Sequence, residues 1–320
     1  MSQFARGLVV GTFAPLHRGH QLVIDTARAA CDHVTVMTWA NPEPTTMPVA
    51  VRERWIRTLY SDVEVLAFGP DAVPHDDAPD AEQRAFTRSK LPAPVDAVFT
   101  SESYGPGLAE VLGCEHIAVD PDRQRVPTSG TAIRADVHAN RHQLDPRVYA
   151  HFVERVVAYG AESSGKSTLM KALADAYKTE YVEEYGRTLW EARGGDLPLE
   201  DYVEIVEGHR QLEETALLKA NRYLFVDTNA ITTQQYAFFF HGACPPRVIE
   251  LADACRDRYD VSLVCAPDIP FEQDGTRVHP QVQQYQDGAI RNDLTLRGIP
   301  YTVVSGPLDA RVAQVQRLLG

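Results

Sequence analysis

The chain has 320 residues, 44% apolar and 23% charged, the proportions of a globular protein with room for two domains. Its formal net charge of -13 argues against nucleic acid as the main partner, because a phosphate backbone needs a basic face. No apolar run approaches the ~20 residues that span a bilayer, and the N-terminus lacks a basic start and long apolar stretch, which predicts a cytoplasmic protein without membrane insertion.

In chain order, residues 8–10 read as strand, 19–30 as helix and 34–39 as strand. Residues 51–60 read as helix and 63–68 as strand, and the acidic stretch 70–82 reads as a solvated loop. Residues 96–100 read as strand, 104–112 as helix and 116–119 as strand, with another helix starting near Ser129. Alternating strand and helix predict parallel sheets covered by helices. The five cysteines are scattered and form no CxxC pair, so reduced thiols are expected rather than a disulfide framework or a zinc site.

The turn from the first strand to the first helix is GTFAPLHRGH, residues 11–20. It fixes the six positions of GxFxPxHxGH, a match with chance odds on the order of one in 10^5 to 10^6 for this composition. Gly11 and Gly19 let backbone approach a ligand closely. His17 and His20 fall on neighbouring faces of the first helical turn, near its positive end, where phosphate charge is favoured. Further on, TSGTAIR at 128–134 opens the late helix; Ser129 or Thr131 is placed to cap it, while backbone N–H groups and Arg134 face phosphates.

These residues resemble the HxGH nucleotidyltransferase superfamily, whose second motif TSGTAIR matches with Thr128 where isoleucine is usual. The resemblance implies transfer of a nucleotidyl group from ATP to a phosphate acceptor, with His17, His20 and Arg134 stabilising triphosphate charge. It also implies that Gly11, Thr12, Phe13, Gly19, Ser129, Gly130 and Thr131 contact the nucleotide. The segment SESYG at 101–105 is similar to the SExYG motif of nicotinamide-nucleotide adenylyltransferases and adds Ser101 and Tyr104 to the site. The run 47–49 leading into Arg52, Glu53, Arg54 and Trp55 is similar to that group as well. For Trp39 and Trp55, core packing and stacking on a nicotinamide ring both remain open.

The break at Asp145-Pro146 predicts a boundary, giving domains at 1–148 and 149–320. Beyond it, 155–159 reads as strand, 166–176 as helix and 180–182 as a short strand. A helical region runs over 199–220 with Gly208 interrupting it. Residues 223–226, 261–265 and 301–304 read as strands, and 308–319 as a closing helix.

The second strand-to-helix turn in this half-chain pattern is GAESSGKST at 160–168, a full GxxxxGK[ST] match that arises by chance roughly once per hundred chains of this length. Gly160, Ser163, Ser164, Gly165 and Thr168 belong to the loop that cradles phosphate oxygens, Lys166 reaches the β- and γ-phosphates, and the Ser167 hydroxyl binds Mg²⁺. Asp227 ends an apolar strand: it is placed to hold Mg²⁺ or accept the proton of an attacking hydroxyl, with a plain helix cap as the alternative. Glu184 suits a ribose hydroxyl, or else a solvated acidic turn. Residues 270–277 have lid character, with Arg277 placed to close over a transferring phosphoryl group.

Taken together, the chain resembles the NadR-type bifunctional enzymes, which join a nicotinamide-mononucleotide (NMN) adenylyltransferase to a ribosylnicotinamide kinase. The resemblance implies an α/β protein with a Rossmann-like nucleotidyltransferase fold followed by a P-loop kinase fold, both with parallel sheets. It implies ribosylnicotinamide, NMN and ATP as substrates, NAD as product, and ATP with Mg²⁺ as cofactors. A homo-oligomer is left open. Three departures stand out: Asn229 replaces the usual Asp, Phe271 replaces a lid Trp, and the first strand begins by Gly7, where some relatives carry a helix-turn-helix repressor domain. Asn229 motivates an alternative, an adenylyltransferase whose P-loop domain only binds ATP or NAD in a regulatory role. A transcriptional regulator, and a related transferase with a different acceptor, rank below both.

Overall fold

The computed structural model describes residues 2–269 and 280–320, with the side chains of Pro280 and Gln281 left aside. It separates into two compact units, Met1–His151 and Phe152–Gly320. Arg277 and Phe271 lie outside the described residues.

The first unit runs β1 (Phe4–Val10), α1 (Arg18–Ala30), β2 (Cys31–Trp39), α2 (Val49–Leu59), β3 (Glu64–Phe68), α3 (Asp80–Lys90), β4 (Ala97–Thr100), α4 (Gly105–Leu112), β5 (Glu115–Ala118), α5 (Gly130–Ala135) and α6 (Pro146–Tyr149). Its strands form one sheet in the order β3-β2-β1-β4-β5, every pair parallel. Leu8, Met37 and Val98 pack with Val95 and Leu108 to cover one face. The chain reverses direction of strand order between β1 and β4, and ligands of open parallel sheets bind at the carboxyl ends of strands beside such a switch.

The second unit runs β6 (Glu154–Tyr159), α7 (Lys166–Tyr177), β7 (Tyr181–Val182), α8 (Tyr185–Ala192), α9 (Asp201–Leu217), β8 (Tyr223–Asp227), α10 (Ala230–His241), α11 (Pro246–Asp253), β9 (Val261–Cys265), α12 (Pro280–Leu296), β10 (Thr302–Val304) and α13 (Leu308–Leu319). Its sheet order is β10-β9-β6-β8-β7, again all parallel. Strands β6, β8 and β9 are apolar almost throughout, as strands covered on both faces must be. Val156, Leu169, Leu173, Phe225, Leu263 and Val315 share one core. A second cluster built on Leu189, Ile205, Val206, Ala237 and Val248 joins α8 to α11.

Three readings of the sequence are corrected. The acidic stretch 70–82 is not all loop, since α3 begins inside it at Asp80. Only Thr87 of that helix is buried, so no apolar stripe announces it, although Asp80 and Glu82 at its start and Arg88 and Lys90 at its end suit the helix dipole. The acidic turn around Glu184 is instead the entry to α8, with Glu184 at the N-cap position and no capping bond from its side chain. Gly208 does not interrupt α9, which runs unbroken over Asp201–Leu217. A Cβ at 208 would lie 2.6 Å from the Tyr185 ring, so the glycine admits α8 against α9. No helix among the described residues is long and apolar enough to cross a membrane.

Candidate active sites

In the first unit the motif loop leaves β1 and folds back on itself before α1. His17 is the N-cap of α1, and its Nδ1 accepts from the backbone N–H of Gly19 at 3.1 Å and of His20 at 3.3 Å. His20 Nδ1 accepts in turn from the His17 N–H at 3.4 Å, a capping box made of two imidazoles. Their rings stack with centroids 3.7 Å apart, and Phe13, held at φ +50°, meets His20 edge-on. A Cβ at Gly19 would sit 3.0 Å from the His17 ring, so the glycine lets that ring lie close on the helix start and a side chain there would push it back by a few tenths of an ångström.

With each Nδ1 accepting, the neutral rings carry their proton on Nε2. Burial, helped by the charges of Arg123 and Arg134, lowers His17 to about 4. His20 is lowered further below its ordinary range by burial and by His17, against a hydrogen bond with the Pro15 backbone. For His17 the displacement opposes the charged form by roughly 3 kcal/mol.

Around the histidines, Arg134 donates to the Ala14 carbonyl at 2.6 Å and to Thr131 Oγ1 at 3.2 Å. Ser129 is the N-cap of α5, accepting from Ala132 N–H at 3.2 Å, and Thr131 is not the cap. Gly130 packs under the Arg134 guanidinium. Arg123, absent from the sequence-based site, has φ +52° and pairs with Glu102 at 2.9 Å while its charge reaches both histidines. Fully buried Arg52 donates to the Thr12 carbonyl at 2.8 Å and to the Met47 carbonyl at 3.0 Å, and pairs with Glu43, which pins the loop from beneath.

Beside the loop, at the carboxyl ends of β1, β2 and β4, lies a cleft of about 210 Å³ lined by Gly11, Thr12, Trp39, Asp76, Arg84 and Tyr104. Tyr104 is anchored, its hydroxyl donating to the Val10 carbonyl at 2.6 Å. The indole N–H of Trp39 is buried without a partner, whereas Trp55 is a core residue against His151. Ser101 starts the turn after β4, outside the cleft lining, and His17, His20 and Arg134 also lie outside it.

In the second unit the P-loop follows β6. Gly160 at φ +145° has no room for a Cβ, which would fall 2.8 Å from the Cys265 carbonyl; Ser163 and Gly165 also take positive φ. Lys166 donates to the carbonyls of Gly160 and Ala161, both at 2.9 Å, inside the loop it serves. Two supports were not read from the sequence. Arg311 of α13, 2% exposed, donates to the carbonyls of Ser164 at 2.5 Å, Gly306 at 2.7 Å and Ala266 at 2.9 Å, and pairs with Asp268. From α12, Gln286 accepts from the Glu162 N–H at 3.2 Å, and Gln283 donates to the Glu162 carbonyl at 2.9 Å.

The P-loop opens on a cavity of about 340 Å³ whose wall includes Ser163, Gly165, Lys166, Ser167 and Thr168 together with Glu184. Arg187 and the rings of Tyr185, Trp190, Tyr202, Tyr236 and Phe240 line it as well. Glu184 keeps some accessible surface, but its carboxyl is enclosed: burial first, then the negative charge of Asp227, raise it to about 7 against the pull of Lys166 and Arg187. Asp227 is 1% exposed; one carboxyl oxygen accepts from the Tyr181 hydroxyl at 3.2 Å and the other has no partner. It is not a helix cap, because Asn229 caps α10. Asn229 is fully committed, accepting from Ile231 N–H at 2.9 Å and donating to the Tyr159 hydroxyl at 2.7 Å.

Residues 155–311 match the AAA domain family. The trifunctional NAD biosynthesis/regulator protein NadR of Salmonella typhimurium is 31% identical over 296 residues, 85% of this chain and 71% of that protein. The Escherichia coli protein of the same name is 32% identical over 297 residues, with the same coverage. A crystal structure of a NadR protein in complex with NR matches with TM-score 0.69 at 22% identity, over 99% of this chain and 96% of that one. Another, with NAD and AMP-PNP, matches with TM-score 0.68 at 21% identity over the same shares. Both structural likenesses show a shared fold.

Proposed function

This chain belongs to the NadR family, and from that premise we propose that it phosphorylates ribosylnicotinamide to NMN and adenylylates NMN to NAD, each step using ATP. One observation carries the reading: a complete phosphate loop stands at the carboxyl end of the central strand in each of two separate parallel sheets. Residues 1–148 are assigned the adenylyltransferase and 149–320 the kinase.

In the adenylyltransferase, the NMN phosphate attacks the α-phosphorus of ATP and pyrophosphate leaves. His17 offers its Nε2–H, and Arg134 its charge, to the oxygens on which negative charge grows; Arg123 joins them, and His20 does so by turning its Nε2–H from the Pro15 carbonyl. No side chain takes a proton, because the nucleophile is already ionised. Catalysis is therefore positioning and electrostatics. The cleft bearing Trp39 and Tyr104 is assigned to the nicotinamide nucleotide.

In the kinase, the 5′-hydroxyl of ribosylnicotinamide attacks the γ-phosphorus of ATP and ADP leaves. Asp227 takes the hydroxyl proton, Lys166 moves from the loop carbonyls to the phosphates, and Glu184 holds a ribose hydroxyl. The aromatic wall receives the nicotinamide ring. Mg²⁺ fits this donor set: the free, buried oxygen of Asp227 and the Ser167 hydroxyl at the start of α7 are hard oxygen ligands, and Mg²⁺ is satisfied by one or two such ligands with phosphates and water. Bound there, it would neutralise charge on the phosphates.

The alternative of a silent P-loop domain rested on Asn229, whose side chain is spent on the helix cap and Tyr159. The test is chromatography of products from purified protein with Mg²⁺ and ATP, given ribosylnicotinamide or NMN in separate reactions. NAD from both is expected. NAD from NMN alone would remove the kinase.

A further inference from the structure

Ser163 at φ +59° and Gly165 at φ +82° stand on either side of Ser164 in the second phosphate loop, a winding that turns backbone N–H groups toward one anion. In a planar trans peptide the C=O and the N–H point in opposite directions. The Ser164 carbonyl therefore decides where the Gly165 N–H points. That carbonyl accepts from Nη1 of Arg311 at 2.5 Å. Arg311 is buried and lies outside the lining of the cavity to which Gly165 belongs. With its carbonyl held from behind, the peptide directs its N–H away from Arg311 and toward the cavity. Glycine accepts either sign of φ, so the backbone alone does not choose between the two orientations of this peptide. A flipped peptide would present a carbonyl dipole to phosphate oxygens.

The guanidinium is itself fixed by two further loops. After β9, the Ala266 carbonyl accepts from Nη2 at 2.9 Å, and the Asp268 carboxylate pairs with the same nitrogen. After β10, the Gly306 carbonyl accepts from Nε at 2.7 Å, and the Gly306 N–H donates to Asp268 at 2.7 Å. The planar fork meets acceptors on three loops at once, which a single ammonium does not reproduce. Resting on the kinase reading above, we propose that Arg311 is a positioning residue for the nucleotide: it holds the Ser164–Gly165 peptide with its N–H toward the phosphates, and Asp268 steadies Arg311. Its part is to orient the loop, not to touch substrate. The N–H serves the phosphates of ATP before and during transfer alike, so the clamp acts on nucleotide affinity rather than on the chemical step.

The split between KM and kcat in the full-length protein separates this role from plain packing. Arg311→Lys keeps the charge and loses the fork. In ribosylnicotinamide phosphorylation its KM for ATP should rise roughly 10- to 100-fold, about what one charge-assisted hydrogen bond contributes, with kcat within about threefold of native. Arg311→Ala leaves space for a free guanidinium ion. Millimolar guanidinium, far below denaturing concentrations, should lower the raised KM of that variant and leave the native enzyme unchanged. NMN adenylylation by the same preparations should stay native. A merely structural arginine would instead give less folded protein, with kcat reduced and KM for ATP unmoved. A native KM for ATP in folded Arg311→Lys would overturn the proposal, as would a KM in Arg311→Ala that guanidinium does not lower. Should the Ala variant fail to fold, the Lys variant decides alone. Affinity for Mg·ADP, counted as the calorimetric binding that Lys166→Ala removes, should weaken in step with KM. That binding reads the clamp without turnover, so absence of phosphorylation in the unaltered protein would fail the kinase reading and leave the clamp to be judged by the binding result.

Discussion

Both units set a phosphate loop at the end of the central strand of a five-stranded parallel sheet, yet they charge the space before it in opposite senses. The first surrounds it with two neutral imidazoles and the charges of Arg123 and Arg134, and its histidines are held well below their ordinary range. The second sets Lys166 against two enclosed carboxylates, and Glu184 is raised to about 7 by that crowding. The nucleophile explains the difference. A phosphate acceptor arrives ionised and needs only cations and donors around the triphosphate. A hydroxyl acceptor must lose a proton, so a carboxylate has to stand near the loop despite the repulsion this builds into an anionic site.

The sharpest way to break that comparison is to silence one loop and read the other. Lys166→Ala is expected to lower ribosylnicotinamide phosphorylation by about 10³-fold or more, while NMN adenylylation stays near native. Equal loss of both in a folded protein would mean that the two loops serve one reaction. The converse change, His20→Ala, should lower adenylylation by roughly 10²- to 10³-fold and spare the kinase, because it removes one preorganised donor to a charge-developing transition state. A His20 variant that makes NAD at nearly the native rate would strip the histidine pair of its role. In both cases initial rates of the two half-reactions, measured on the same preparation, decide the matter.

Both loops were legible in the sequence because each is a local strand–turn–helix, complete within about ten residues. Their supports were not, because they arrive from far along the chain. Arg52 reaches back 40 residues to Thr12, and Arg311 reaches back 147 to Ser164. A faint signal existed: each arginine lies on the apolar stripe of its helix, Arg52 beside Val51, Trp55 and Ile56, and Arg311 with Val315. A charge on a buried stripe needs a partner, and backbone carbonyls of a strained loop are well suited. The helices from α8 to α11 were harder to read: their apolar residues pack on one another as well as on the sheet, so no single period marks a core-facing side. For α10 in particular, three phenylalanines in a row, Phe238 to Phe240, blur any amphipathic pattern.

A smaller effect sharpens the electrostatic contrast. Because the Glu184 carboxyl is raised to about 7, it is mostly protonated at pH 6 and mostly ionised at pH 8. If the ionised form holds the ribose, kinase kcat/KM for ribosylnicotinamide should climb about tenfold across that interval, since kcat/KM reports the free enzyme. Glu184→Gln should flatten the climb. Adenylylation should show no matching step from its histidines, because His17, at about 4, is already neutral throughout that range. A kinase profile that keeps its slope in Glu184→Gln would assign the titration to another group.

The least change is expected at the position that first cast doubt on the kinase. In Asn229→Asp, one carboxyl oxygen still accepts from Ile231 N–H at the start of α10. The other can accept from Tyr159, whose hydroxyl only has to turn from acceptor to donor. An acid at a helix N-terminus gains about 0.3–1 kcal/mol, whereas ionising a side chain that is 2% exposed, two residues from Asp227, costs more than that. Thermal unfolding should therefore fall by a few degrees. Kinase turnover should stay within about threefold, since nothing on the cavity wall moves. A rise of tenfold or more would show that the side chain acts on the transferring phosphoryl group after all, and the chemistry assigned to Asp227 alone would have to be shared between the two positions.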